Sequence, residues 1–182
     1  MNAVRYVVPF LMALMSLTFV SCSEDVQDTY SGYDAFLRFQ PVTAVAPLYA
    51  ALNSLGEYCT IRQNEKQYLF NGPGGSAVYT KVAADSYNPM RAIGGFIVGK
   101  SNLMDMGSNT FPHLCYDLAC PNCYASYNVA RVLKVEGGTA RCERCKRTYD
   151  LNNQGIISEG DAGKKLIRYR IQYGGDLLYI RN

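Results

Sequence analysis

Two C-x-x-C pairs constrain this chain more than any other feature. Cys120-Pro121-Asn122-Cys123 and Cys142-Glu143-Arg144-Cys145 are separated by 18 residues. A tetrahedral ion takes four ligands, and two tight turns that each present two sulfurs supply them, provided the segment between folds back. It carries the signal to do so: Gly137-Gly138 parts the strand-like stretches 129–136 and 139–141, the mark of a two-residue hairpin. Pro121 restrains the first turn, and amide N–H groups in such turns can donate to thiolates. Arg141, Arg144, Lys146 and Arg147 surround the second pair, where they would offset the roughly −2 charge that four thiolates leave around a divalent ion. Cys120, Cys123, Cys142 and Cys145 are therefore expected to hold Zn2+, with iron as the alternative, since a four-thiolate set suits both. Two other readings stay open. Redox dithiols would want a βαβ context that the chain does not offer, and two short disulfides would need an oxidising compartment.

The N-terminal segment points to such a compartment. Arg5 precedes residues 7–20, which are apolar but for Pro9, Ser16 and Thr18. That run falls short of the roughly 20 residues needed to span a bilayer and has the layout of a secretory signal. Phe19-Val20-Ser21-Cys22 resembles a lipobox, with Phe19 where leucine is usual, and Ser23-Glu24-Asp25 resembles the acidic export signal of Bacteroidota surface lipoproteins. The resemblance implies a signal peptide over 1–21 and a lipid on Cys22. It also implies a tether over 22–33 and a surface-exposed place on the outer membrane. The expected partners are the membrane, through that lipid, and an outer-membrane protein complex or an extracellular ligand.

Residues 34–182 are long enough for one domain with a real core. Without Arg5 the chain carries 17 Lys and Arg against 15 Asp and Glu, a balance that suggests no polyanion partner. Seven cysteines are present. Once Cys22 and the two pairs are assigned, Cys59 and Cys115 remain, either as a disulfide or as two buried thiols. Residues 34–39 read as a first strand. Pro47 opens a helix with Leu48, Leu52 and Leu55 on one face and Gly56 at its C-cap. Residues 57–62 and 67–70 flank the polar turn Gln63-Asn64-Glu65-Lys66, and 71–75 read as a loop. Residues 77–81, 95–99 and 111–117 are further strands, and 166–173 pairs with 177–180 across Gly174-Gly175. The expectation is a mainly β fold: a small barrel or sandwich with one short N-terminal helix and a separate metal subdomain.

From Cys120 onward the order of motifs resembles the cluster-binding half of the Rieske iron–sulfur domain. Cys142-x-x-Cys145 falls on the second metal loop, with Tyr149 where that family has an aromatic residue. Gly160-Asp161-Ala162 falls on its G-P-A segment, followed by Leu166 and Tyr169 at the matching spacing. Gly95-Phe96-Ile97-Val98 and residues 114–120 resemble the strands entering the first loop. The resemblance implies a Rieske-like barrel with a subdomain similar to rubredoxin and zinc ribbons. The ligands depart from the family, because Cys123 and Cys145 stand where it has histidines. His113 is the only histidine in the chain, so a two-histidine Rieske centre is excluded on ligand count.

Little in the sequence suggests catalysis. Asp117, Asp150 and Glu159 are isolated carboxylates near turns, and there is no G-x-S-x-G or H-E-x-x-H pattern. Gly72-Pro73-Gly74-Gly75 lacks the strand-to-helix setting of a phosphate loop, and export argues against nucleic acid. The expectation is a non-catalytic binding or complex-accessory module whose metal staples the fold. The alternative is electron transfer through a rubredoxin-type iron or a [2Fe-2S] centre held by the four cysteines.

Overall fold

A computed structural model describes residues 30–182. The signal segment, the lipobox with Cys22 and most of the tether lie outside the described residues. The fold is mainly β, a curled antiparallel half-barrel with few helices.

The half-barrel has eight strands. In chain order they begin with β1 (Phe36–Phe39), β2 (Glu57–Gln63), β3 (Gln67–Gly72) and β4 (Gly75–Thr80). β5 (Phe96–Lys100), β6 (His113–Asp117), β11 (Arg168–Gly174) and β12 (Leu177–Arg181) complete it. Their spatial order is β1-β12-β11-β6-β5-β2-β3-β4. Four short strands, β7 (Lys134–Glu136), β8 (Thr139–Arg141), β9 (Thr148–Asp150) and β10 (Ile156–Glu159), form a second sheet in the order β10-β9-β8-β7.

Turn chemistry sets the registers. Asn64 Oδ1 accepts from the backbone N–H groups of Lys66 (2.9 Å) and Gln67 (2.7 Å), closing β2 onto β3. Residues 71–75, expected to be a loop, are a tight hairpin instead: Gly72 pairs with Gly75, and both Gly74 and Gly75 have positive φ. The β11–β12 turn is Gly175-Asp176, one residue later than expected, since Gly174 still pairs with Leu177. Both turn residues have positive φ, which matches the strand twist.

Because side chains alternate along strands, the half-barrel sorts its residues into two cores. Leu37, Phe39, Ile61, Phe70, Phe96, Val98, Leu178 and Ile180 fill the concave side. There α1 (Ala46–Asn53) buries Pro47, Leu48, Ala51 and Leu52 against it. Leu55 is not part of that face: the helix ends at Asn53, leaving Leu55 48% exposed. Gly56, at φ +75, turns the chain into β2 instead of capping the helix. On the convex side Ile97, Leu114, Tyr116 and Leu118 meet the small sheet through Leu133, Ala140, Tyr149 and Leu151. Two short helices, α2 (Ala83–Tyr87) and α3 (Pro121–Tyr127), were not foreseen. The twelve described strands enclose both cores, so residues 30–182 carry a hydrophobic interior of their own.

Cys59 and Cys115 do not form a disulfide. Cys59 on β2 and Cys115 on β6 both register against Val98 of the intervening β5. They are thus two strand spacings apart, about 9–10 Å, beyond the Cα–Cα reach of about 4.4–6.8 Å that a disulfide allows. Both are buried free thiols. Burial pushes Cys59 up to about 12 and Cys115 well above its ordinary value, which makes them unreactive core residues.

Candidate metal centre

The convex core ends in the four cysteines. β6 leads out of the half-barrel through Leu118 and Ala119 to Cys120, the N-cap of α3. Pro121 occupies the first helical turn, where its missing N–H is not needed. Cys123 follows on that turn, so the first pair sits on a helix start and not on a plain loop. Asn128, in the left-handed region at φ 51, closes the helix.

The β7–β8 hairpin returns the chain to Cys142, and the turn between β8 and β9 carries the second pair. That turn closes on itself. Cys142 N–H donates to Arg147 O (2.9 Å), and Lys146 N–H donates to Cys142 O (2.9 Å), with Lys146 at φ 63.

The four sulfurs converge. Cys120 Sγ lies 3.6 Å from Cys145 Sγ, Cys123 Sγ lies 3.7 Å from Cys142 Sγ, and all four fall within 4.8 Å of one another. Ligands of a tetrahedral ion at ~2.3 Å would stand about 3.8 Å apart, so the donor set fits a single metal ion. Cys120, Cys123 and Cys142 are buried and Cys145 is half-buried.

Electrostatics divides the set. Burial raises the Cys123 and Cys142 thiols; at Cys142 the backbone N–H groups of Cys145 and Arg144 oppose it. Burial also acts upward on Cys145, but the adjacent backbone N–H and guanidinium of Arg147 favour its thiolate. With the neighbouring Cys142 and Cys120, they bring it down to about 7. Of the cations flanking the second pair, Arg147 is the one that favours the thiolate of Cys145.

A second layer holds the cysteines. Tyr149 Oη lies 3.3 Å from Cys120 Sγ. Asn122 Nδ2 donates to the same Oη (2.9 Å) and to Lys164 O (2.8 Å), while its Oδ1 accepts from Lys164 N–H (2.9 Å). With Asn122 donating to it, the tyrosine hydroxyl has its own proton left for the sulfur. Burial, and then the adjacent Cys120, keep that proton bound. Arg147 extends in parallel, with Nε on Asp161 O (2.9 Å) and Nη2 on Ala162 O (3.1 Å). The 161–164 segment therefore latches both cysteine turns at once.

Of the carboxylates noted in the sequence, Asp150 caps a turn and Glu159 bonds across the β9–β10 pair. Asp150 Oδ1 accepts from Asn152 and Asn153 N–H, and Glu159 Oε2 accepts from Thr148 Oγ1. Asp117 does more. Fully buried, it accepts from the N–H groups of Ile93, Gly94 and Ala119 and from Tyr169 Oη, at 2.7–3.0 Å. It pins the exit from β6 just before Cys120. His113 is far from the sulfurs in role: its Nε2 meets Leu52 O (2.8 Å) at the end of α1 and its ring packs on Tyr173.

Asn122 and Asp117 were not read from the sequence as parts of the site. Asn122 left a faint signal, an amide wedged inside a C-x-x-C, whereas nothing local marked Asp117 as buried. No protein-family model, curated protein or solved structure matches this chain.

Proposed function

We propose that this protein is an exported, lipid-anchored outer-membrane protein. Its Rieske-like domain carries a structural zinc site and serves as a non-catalytic binding or complex-accessory module. The convergence of four sulfurs within 4.8 Å carries the reading. Four thiolates complete a tetrahedral zinc site and leave no open position for water, which is the arrangement of a staple and not of a hydrolytic centre. The compactness also favours one ion over a four-thiolate [2Fe-2S] centre, whose two irons would spread the thiolate pairs apart. The Rieske resemblance rests on the order and spacing of the motifs from Cys120 onward, with Tyr149, Gly160-Asp161-Ala162, Leu166 and Tyr169 at the matching places. Lipidation at Cys22 rests on the lipobox-like sequence alone.

Metal analysis with an absorption spectrum on the purified mature protein tests the centre. Colourless protein with one zinc per chain is expected; visible absorption with stoichiometric iron overturns it. The second reading, electron transfer through a rubredoxin-type iron, draws on one observation. Cys145 is only half-buried, and Cys142 lines an open groove of about 970 Å³ that would bring a partner close to the sulfurs.

A further inference from the structure

The convex face of the half-barrel is covered in the middle by the small sheet; among the described residues, Tyr30 and Ser31 pack along the flank built by β11, β12 and β1. Alternation sends Leu37, Tyr169, Leu178 and Ile180 into the concave core, so Arg38, Arg168, Arg170 and Arg181 project outward. Arg38, Arg170 and Arg181 are exposed and Arg168 is half-buried. Register sets Arg170 directly opposite Arg181, with Phe36 next to Arg181 on β1. Tyr179 stands beside Arg38 in the adjacent row.

Like charges directly opposed across an antiparallel pair repel, yet no salt bridge compensates any of these four arginines among the described residues. Arg168 Nε is buried without a hydrogen-bond partner. The chain enters the domain along this flank. Tyr30 lies against the guanidinium groups of Arg168 (5.2 Å) and Arg170 (4.7 Å), and Ser31 N–H donates to Arg168 O. Tyr30 is eight residues from Cys22, and eight residues span at most about 28 Å when fully extended.

We propose that this arginine–aromatic flank docks on an anionic, phosphate-bearing lipid surface of the membrane that holds the anchor. Guanidinium forks match phosphate oxygens in pairs. Tyrosine and phenylalanine rings suit the headgroup level, where one end is apolar and the other wet. Anionic lipid supplies the counter-charge that no described carboxylate gives the Arg170–Arg181 pair. The nearness of the flank to the bilayer rests on the proposed lipidation of Cys22; its chemistry does not.

Flotation with lipid vesicles tests the flank. Unlipidated protein covering residues 23–182, which holds the twelve described strands and both cores, is mixed with phosphatidylcholine vesicles with or without phosphatidylglycerol. Binding is expected only with the anionic lipid and is lost at high salt. Arg170→Glu with Arg181→Glu is expected to weaken it at least about tenfold. Arg62→Glu with Arg131→Glu, on the opposite flank, leaves it unchanged. Arg170→Gln with Arg181→Gln, checked by circular dichroism, serves if the charge reversals unfold the sheet. No binding to anionic vesicles, or binding untouched by both flank variants, overturns the proposal, and arginine-dependent retention on an acidic protein alone reassigns the flank to a protein partner. The mass of the N-terminal peptide from membrane-extracted full chain separates the two readings. Unmodified Cys22 with intact vesicle binding refutes the anchor and keeps the flank, whereas lipidated Cys22 without vesicle binding refutes the flank alone.

Discussion

Tyr149 joins the metal centre to the rest of the domain through one hydroxyl, which accepts from Asn122 and faces Cys120 Sγ. Tyr149→Phe keeps the buried ring and removes that link. Outer-shell partners of metal ligands are commonly worth 10–100-fold in affinity, so the variant is expected to lose metal to a competing chelator at least about tenfold more readily while its circular dichroism stays unchanged. Equal retention would make the hydroxyl a bystander. His113 supports a second residue-scale prediction. Burial, with some help from Lys100, holds its imidazole below the ordinary 6.5, although the Leu52 carbonyl pulls the other way. Between the folded and unfolded values the unfolded chain binds more protons. The contribution of His113 to stability is therefore complete above pH 6.5 and is lost as pH falls through the folded value. Because it is the only histidine, its ring resonances report the titration without ambiguity. His113→Gln is expected to flatten the difference in unfolding midpoint between about pH 7.5 and acidic buffer relative to the parent.

At the scale of elements, the 161–164 latch depends on close approach. A Cβ on Gly163 would stand 2.4 Å from Asn122 Oδ1 and 3.3 Å from Arg147 Nε, and hydrogen bonds on both sides hold those two side chains in place. Gly163→Ala is expected to destabilise the domain by about 1–3 kcal/mol in denaturant unfolding and to speed metal release as Tyr149→Phe does. A neutral result would mean that the latch moves freely. The elements legible in the sequence were those whose signals are local. β2, β3, β5, β6 and the β7–β8 hairpin show β-branched and aromatic runs bounded by Asn or Gly turns, and the two C-x-x-C pairs announce themselves by spacing. The missed elements lack such signals. α3 has seven residues and α2 five, too short to display a helical period. β9 and β10 have three and four, and tertiary pairing, not propensity, makes them strands. The disulfide alternative failed for a related reason: Cys59 and Cys115 share a face, but β5 runs between them, and no local pattern reveals strand order.

Across the whole molecule, one convex surface is divided three ways: metal subdomain in the middle, arginine flank on one side, open groove on the other. The nearly balanced total charge concealed that division, since cations gather on β11, β12 and β1 only once register is fixed. The two cores also differ in what sustains them. The concave core rests on strands of four to seven residues and on α1, whereas the small sheet has strands of three or four, near the lower limit of strand length. The small sheet depends on the four cysteines to close its end. Removal of the proposed metal by a thiol-compatible chelator is therefore expected to melt residues 120–166 first, as a local opening below the global unfolding free energy. Amide exchange should accelerate in β7, β8 and β9 while β2, β5 and β12 keep their protection. β6 should show an intermediate change, because Leu114 and Tyr116 lose their cover while Cys115 stays packed in the concave core. Simultaneous loss of protection in β5 and β9 would instead mean that the metal staples a single cooperative unit, with no half-barrel able to stand without it.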